Sequence, residues 1–216
     1  MPLKPSAVVD LFSTKSAVFG PKLMHDLGLT DIQAAGLLGN LGHESGGFRY
    51  LQEIKPVVKG SRGGWGLAQW TGPRRRAMEA WCRANKLDPA SDAANIGYLY
   101  VELRGSEKAS LAALKREHTL EGATHSFMVN FERPGKPLLA SRLVWAKKAL
   151  PAIRKGLAQP AAPIAPAAAL TPPAASVAPA KPKPVADKHA VEPKKPVPVI
   201  KRAAPVHHST TKAKHR

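Results

Sequence analysis

The chain has 216 residues, one cysteine and a formal net charge of +18 at pH 7. A single cysteine excludes an intrachain disulfide and a cysteine-based zinc site, and no segment approaches the ~20 consecutive apolar residues of a membrane-spanning helix. The positive charge favours polyanionic partners such as nucleic acid, anionic lipid or bacterial wall polymer, but does not choose among them.

The composition divides the chain near residue 156. All four Trp, all three Tyr and all five Phe precede that point, so only the first part can build a hydrophobic core. The remainder is rich in Ala, Pro, Val and Lys, with ten Lys and Arg side chains against two carboxylates. Because proline at this density excludes helix and sheet, we predict a folded domain at residues 1–155 and a disordered cationic tail at residues 156–216.

The first part predicts about seven short helices and one glycine-rich segment, so the expected fold class is mainly α. Apolar periodicity and capping residues predict helices over residues 6–18, 31–44, 73–85, 92–104, 107–116, 119–131 and 137–150. Thr30 and Gln33 form a capping-box pattern before the second helix, and Pro73 suits the first turn of the third. Residues 45–72 contain seven glycines and predict a loop or small hairpin.

The second predicted helix ends in GNLGHESGG, residues 39–47, and carries a carboxyl at its end. Leu37, Leu41 and Glu44 are spaced i, i+4 and i+7, so the carboxyl shares the face that points inward. Apolar neighbours and the negative end of the helix dipole both disfavour its charged form, which suits a general acid near neutral pH. The alternative interpretation is a solvated glutamate at a helix end.

The same helix contains three glycines that helix propensity alone does not explain. Gly36, Gly39 and Gly42 together cost about 3 kcal/mol relative to alanine. Close approach by another backbone or by a ligand would compensate for that cost, because glycine has no side chain to keep a neighbour away.

The segment GGWGLAQW, residues 63–70, has the composition of a sugar-binding surface. The indoles of Trp65 and Trp70 offer flat apolar faces and Gln69 offers a planar amide, which together suit the C–H patches and hydroxyl rim of a sugar ring. Turn glycines beside two core tryptophans are the alternative interpretation.

The order of these motifs resembles the phage tail lysozyme family of the lysozyme-like superfamily, over about residues 5–150. The matching pieces are Glu44-Ser45-Gly46-Gly47-Phe48, Gly66-Leu67-Ala68-Gln69-Trp70, Arg74 and FMVNFERPG at residues 127–135. The resemblance implies a lysozyme-like helical domain that cleaves the β-1,4 bond between N-acetylmuramic acid and N-acetylglucosamine in peptidoglycan. It implies Glu44 as the general acid and requires no metal or organic cofactor.

The resemblance also implies which residues contact the glycan strand. The expected substrate-binding residues are Ser45, Trp65, Gly66, Gln69, Trp70 and Phe131, with Ser45 steadying the Glu44 carboxyl by a hydrogen bond. A Gly-x-x-Gln stretch similar to that of soluble lytic transglycosylases places Gln69 along the groove.

A second carboxylate is harder to identify. Hydrolysing glycosidases pair an acid with a base or nucleophile about 5–5.5 Å away for retention and about 6.5–9.5 Å for inversion. Glu53 and Glu132 are the candidates, but Glu53 also fits a solvated loop charge and Glu132 an ion pair with Arg133. A lytic transglycosylase, in which the 6-hydroxyl of the sugar attacks, needs no second carboxylate, so both outcomes stay open.

One metal-binding motif and two other functions are alternatives to this interpretation. His43-Glu44 does not continue into a zinc H-E-x-x-H motif, because position 47 is glycine. A basic nucleic-acid-binding protein with a histone-like tail, or a catalytically inactive virion structural protein, are the alternative functions. A tail at residues 156–216 with this charge is also expected to bind polyanions without sequence preference.

The expected location follows from the N-terminus and from the resemblance. MPLKPSAVVDLFSTKSAVFG has no apolar stretch long enough for the core of a signal peptide. We therefore expect a virion component, carried with the phage tail or injected, that acts in the host periplasm or cell wall. Its expected partners are peptidoglycan strands and phage tail or other virion proteins.

Overall fold

The computed structural model describes residues 5–56 and 60–158. Helices account for most of these residues, which confirms the prediction of a mainly α fold. They are α1 (Pro5–Leu27), α2 (Asp31–Glu44), α3 (Gly72–Ala84), α4 (Asp92–Arg104), α5 (Lys108–Leu114), α6 (Leu120–Phe127), a π-helical segment (Met128–Glu132) and α7 (Leu139–Ala158). None of the helices described is long and apolar enough to cross a membrane.

The first and last helices are longer than predicted. α1 continues to Leu27 with Pro21 inside it, and α7 continues to Ala158 with Pro151 inside it. The two helices pack side by side, and Gly20 and Gly156 allow close approach to Ile153 and Ala17 respectively. This tertiary packing outweighs the helix-breaking tendency of the prolines.

Helix α7 therefore runs three residues past the domain boundary predicted at residue 155. The division into two domains stays a prediction. Residues 159–216, which make up nearly all of the predicted disordered tail, lie outside the described residues.

Helix α2 is the central helix of the domain and packs against α1, α6 and α7. The predicted capping box is present, since Thr30 Oγ1 accepts from the Gln33 amide and Gln33 Oε1 accepts from the Thr30 amide. A Cβ at Gly36 would lie 2.8 Å from the Ala123 backbone in α6, and one at Gly39 would lie 2.8 Å from the Ala146 backbone in α7. The predicted close approach is therefore confirmed, and it is made by neighbouring helices.

The glycine-rich segment between α2 and α3 forms turns and two isolated antiparallel bridges, which pair Gln52 with Trp65 and Trp65 with Trp70. The Gly66 amide donates to the Leu51 carbonyl at 2.7 Å, and the Glu53 amide donates to the Gly64 carbonyl at 3.0 Å. These bonds hold residues 63–70 against the stretch that follows α2, as a loop or small hairpin.

Candidate active site

Glu44 is the last residue of α2, and its side chain is 21% exposed. Its Oε1 accepts a hydrogen bond of 2.6 Å from Nη2 of Arg142 in α7. The side chain of Arg142 is only 1% exposed. The carboxyl thus lies at the predicted helix end and is partly buried. The group in direct contact with it is a buried arginine, which corrects the expectation of apolar neighbours alone.

Arg142 is fixed by three acceptors. Its Nε donates to the Pro137 carbonyl and its Nη1 to Asn40 Oδ1, each at 3.0 Å, in addition to the bond to Glu44. Asn40 is itself buried and donates to the Thr124 carbonyl in α6 at 2.9 Å. Because a guanidinium is planar and its donors point in fixed directions, this arrangement sets the position of the Glu44 carboxyl from three helices.

Arg142 was not predicted as a site residue, although the spacing of residues in α7 indicates that its side chain is buried. The buried residues of α7 are Arg142, Ala146, Ala149 and Ile153, spaced i, i+4, i+7 and i+11. An arginine in register with a stripe of small and apolar residues indicates a buried cation, which needs an acidic partner elsewhere in the chain.

A second buried network lies beneath the glycine-rich segment. Glu102 in α4 accepts from Trp70 Nε1 at 2.6 Å and from Arg74 Nε and Nη2 at 2.8 and 2.7 Å. The Arg74 guanidinium also donates to the Phe131 carbonyl at 3.4 Å and lies 4.5 Å from the centroid of the Phe131 ring. This network joins the glycine-rich segment, α3, α4 and the π-helical segment.

Glu132 is the last residue of the π-helical segment. Its Oε1 is buried and has no hydrogen-bond partner among the residues that the structure describes. Burial raises the pKa of Glu132 well above its ordinary value and the charge of Glu44 raises it further, while Arg74 and Arg142 act in the opposite direction. The alternative of an ion pair with Arg133 is wrong, because Arg133 pairs with Glu107.

Ser45 follows Glu44 and is completely buried. Its Oγ donates to the Leu41 carbonyl at 2.6 Å and accepts from the Phe48 amide at 3.0 Å. The hydrogen bond expected between Ser45 and the Glu44 carboxyl is therefore replaced by bonds that close the turn after α2. Gly46 and Gly47 continue this turn with φ angles of 57° and 73°, which glycine adopts without strain.

Two of the aromatic residues expected to hold the sugar lie in the core. Trp70 is 1% exposed and makes an edge contact with Tyr98, and Phe131 is fully buried and stacks on Phe127. Neither ring offers a face to a substrate in this structure, which corrects the expected direct contacts. The Trp70 ring instead lies against Gly66 within the glycine-rich segment, and the Phe131 ring lies against the Arg74 guanidinium.

Trp65 and Gln69 remain partly exposed, whereas Gly66 is buried. Trp65 Nε1 donates to the Pro89 carbonyl at 3.3 Å, and the Arg75 guanidinium lies 5.3 Å from the centroid of its ring. Gln69 Nε2 donates to the Leu51 carbonyl at 3.1 Å, so its amide ties the segment to the chain after α2. Of the residues expected in the 63–70 segment, Trp65 and Gln69 are the ones that a ligand can reach.

The Glu53 carboxylate bonds to the backbone of Gly64, next to the bridge between Gln52 and Trp65. Its Oε2 accepts from the Gly64 amide at 2.7 Å, and its own amide donates to the Gly64 carbonyl. Glu53 is half-buried, and its carboxylate stabilises this bridge. It is therefore neither a solvated loop charge nor a carboxylate with both oxygens free to act as a base.

Tyr50 is an exposed aromatic residue that was not among the predicted site residues. Its side chain is 52% exposed, and a Cβ at Gly46 would lie 2.7 Å from its ring. The Arg49 guanidinium lies 5.8 Å from the centroid of the ring. The sequence feature that could have indicated Tyr50 is its position. It is an aromatic residue six positions after Glu44, in a segment rich in glycine.

His43 adjoins Glu44 and bonds to Ser141 Oγ through Nδ1 at 2.9 Å. Burial and the charge of Arg142 lower the pKa of His43, and the charge of Glu44 opposes them. Among the residues described, no group of three or more His, Cys, Asp or Glu side chains is placed to hold a metal ion.

Comparison with known proteins identifies a family whose model covers this site. The model of the phage tail lysozyme family matches residues 21–153, more than half of the chain. The matched span contains Glu44, the glycine-rich segment, Glu132 and Arg142. Searches of curated proteins and of solved structures found no match.

Proposed function

Since the chain belongs to the phage tail lysozyme family, which implies peptidoglycan as the substrate, we propose that it is a muramidase with Glu44 as its general acid. The proposed bond is the β-1,4 linkage between N-acetylmuramic acid and N-acetylglucosamine. The observation that carries the proposal is the setting of Glu44: a partly exposed carboxyl at the end of a buried helix, held by a buried arginine.

The geometry of the carboxyl supports this role. Arg142 binds Oε1, which leaves Oε2 as the atom to face the glycosidic oxygen. The proton moves from the carboxyl to that oxygen while the bond to C1 breaks. Three helices fix the orientation of the carboxyl, so little reorientation is needed when the glycan binds.

The glycan-binding surface lies along the segment that follows Glu44 and the segment at residues 63–70. Tyr50 supplies an exposed aromatic face, Trp65 supplies a partly exposed one, and Gln69 supplies a partly exposed side-chain amide. Aromatic faces suit the C–H patches of the sugar ring and the amide suits its polar rim. Ser45, Gly66, Trp70 and Phe131 act from beneath by holding this surface in shape.

Digestion of purified peptidoglycan by the full chain tests the proposal. The wild type is expected to release muropeptides, and Glu44→Gln is expected to release none above background. Glu121→Gln, which changes an exposed glutamate on α6, is the matched control and should digest as the wild type does. Mass spectrometry of the products distinguishes reducing ends, made by a lysozyme, from 1,6-anhydro ends, made by a transglycosylase. Absence of soluble fragments from the wild type would refute the enzymatic function.

The proposed location is the virion, with action on the host periplasm or cell wall. The family match and the positive charge support it, since wall polymers are anionic. Peptide mass spectrometry of purified virions tests this location. Polyanion binding by the tail at residues 156–216 stays a prediction, and deletion of that tail followed by measurement of wall and DNA binding tests it.

A further inference from the structure

Three arginines lie near the start of α3, and the structure places them in three different environments. Arg74 is partly buried and bonds to Glu102, Arg75 is buried, and Arg76 is exposed. Positive charge near the start of a helix is disfavoured by the helix dipole, and burial adds the cost of removing the charge from water. The acceptors around Arg75 must therefore compensate for both costs.

The Arg75 guanidinium joins α3 to the glycine-rich segment. Its Nη1 donates to the carbonyl of Arg62 at 2.6 Å and to the carbonyl of Gly63 at 3.0 Å. Its Nε donates to Glu79 Oε1 at 3.0 Å, one turn further along α3, and Glu79 Oε2 accepts from Arg62 Nη2 at 2.7 Å. Because a guanidinium is rigid and planar, these bonds fix both its plane and the backbone at residues 62–63.

The same stretch of backbone is also bonded to the chain that follows α2. Gln52 Nε2 donates to the Arg62 carbonyl at 2.8 Å and to the Gly64 carbonyl at 3.3 Å. Glu53 Oε2 accepts from the Gly64 amide. The bridges of this segment are isolated ones, so side chains supply much of its order. Of these side chains, Arg75 is the one that comes from a helix and ties the segment to the helical core.

The Trp65 ring lies next to this fixed guanidinium. The Arg75 guanidinium is 5.3 Å from the centroid of the ring, a distance at which a cation is attracted to an aromatic face. The ring Nε1 donates to the Pro89 carbonyl at 3.3 Å, which is long for a hydrogen bond of this type. Trp65 is partly exposed, so part of the ring remains available to a ligand. The position of that part depends on the contact with α3.

We propose that Arg75 is a positioning residue for the glycan-binding surface, which holds Trp65 and the backbone at residues 62–63 in the geometry that the sugar ring meets. This proposal rests on the proposed function. A surface that is ordered before binding avoids the free-energy cost of ordering it when the glycan arrives, so Arg75 acts on affinity. Glu44 is fixed separately by Arg142 in α7, so the chemical step does not depend on Arg75.

Kinetics on solubilised glycan strands test this role with two substitutions. Arg75→Lys keeps the charge but cannot bond to two carbonyls and Glu79 from one rigid plane, and Arg75→Gln removes the charge as well. Both are expected to raise KM about fivefold with kcat nearly unchanged, the effect of losing one well-placed aromatic contact. Arg76→Gln removes the same charge from the exposed neighbour and is the matched control, for which KM should stay at the wild-type value.

The outcomes separate position from charge and from stability. A KM that rises in Arg75→Gln but not in Arg75→Lys would show that the charge is sufficient, and would overturn the proposal. An equal rise of KM in Arg76→Gln would have the same meaning. A lowered melting temperature with an unchanged KM, measured well below the melting transition, would limit Arg75 to stability and would also overturn the proposal. If Arg75→Gln does not fold, Arg75→Lys carries the test.

Indole ¹⁵N NMR of the full chain without substrate separates this proposal from the proposed function. The Trp65 Nε1–H signal, assigned by its loss in Trp65→Phe, is expected to shift in Arg75→Lys, and hydrogen exchange of the Trp65 amide to become about tenfold faster. The signal of the buried Trp81 ring should stay in place. An unchanged Trp65 signal and exchange rate overturn the proposal even if peptidoglycan is digested. A shifted signal, when the wild type digests nothing, supports the placement of Trp65 by Arg75 and refutes the function.

Discussion

Glu102 and Glu44 each form a salt bridge with an arginine, and the two carboxylates differ in how completely they are bonded. Glu102 is 5% exposed, and both of its oxygens accept hydrogen bonds from Arg74 and Trp70. Glu44 is 21% exposed, and among the described residues only its Oε1 accepts a hydrogen bond. A carboxylate with both oxygens bonded stabilises the fold, whereas one with an oxygen that accepts no hydrogen bond from the described residues can carry chemistry.

The largest expected effect separates these two roles through activity. Glu44→Gln is expected to lower peptidoglycan cleavage by about 10²–10⁴-fold, the usual contribution of a general acid. It is also expected to lower the melting temperature, because it leaves the buried Arg142 without its counter-ion. Release of soluble muropeptides under matched conditions measures the first effect and thermal unfolding the second. Cleavage at the wild-type rate would show that Glu44 is not the acid.

The second prediction concerns the contribution of the Glu102–Arg74 pair to the stability of the domain. Glu102→Gln leaves Arg74 without its counter-ion and is expected to destabilise the fold by about 3 kcal/mol. The lower end of the range for a broken buried pair applies, because the Arg74 side chain is 29% exposed. Urea unfolding at neutral pH measures the difference. A variant as stable as the wild type would mean that the bonds to Glu102 do not stabilise the domain.

The third prediction tests, through the pH dependence of stability, whether Glu132 is protonated in the folded protein. Its pKa is raised in the folded state, so its contribution to stability is present below the ordinary glutamate value and is lost as pH rises through the folded value. The wild type is expected to lose stability relative to Glu132→Gln by up to about 1.4 kcal/mol per pH unit within that window. Urea unfolding of both proteins between pH 4 and pH 8, in steps of about half a unit, measures this slope. Parallel stability curves would show that Glu132 is ionised in the folded protein.

The smallest expected effect lies at the exposed edge of the site. Tyr50→Ala removes an aromatic face next to Gly46 and is expected to raise KM about five- to tenfold, about 1 kcal/mol, with kcat nearly unchanged. Leu138→Ala, which removes an exposed apolar side chain just before α7, is the matched control. Kinetics on solubilised glycan strands measure both. An unchanged KM in Tyr50→Ala would remove this residue from the glycan-binding surface.

Much of the secondary structure could be predicted because its signals are local. The side chains of Thr30 and Ser91 accept hydrogen bonds from amides in the first turns of α2 and α4. The proline in the first turn of α3 fixes a helical φ and has no amide that needs a partner. The ends of α1 and α7 could not be predicted, because the two helices stabilise each other across Pro21 and Pro151.

The candidate site was only partly predictable. Glu44 was found because helical spacing places it in register with Leu37 and Leu41. Arg142 was missed because its partner is 98 residues away in the chain. Trp70 was assigned to the sugar because an indole serves equally well in a core and in a cleft, and composition does not distinguish these environments.

The sequence by itself determined the mainly helical fold, the family and the position of one carboxyl at the end of a glycine-containing helix, because capping, periodicity and motif order are properties of neighbouring residues. Only the tertiary structure decided which charges meet. It paired Arg142 with Glu44 and Arg74 with Glu102, and it left Glu132 half-buried, with its Oε1 enclosed and with no salt bridge among the described residues. Electrostatic interaction depends on distance and burial in space, and these are set when distant helices pack together.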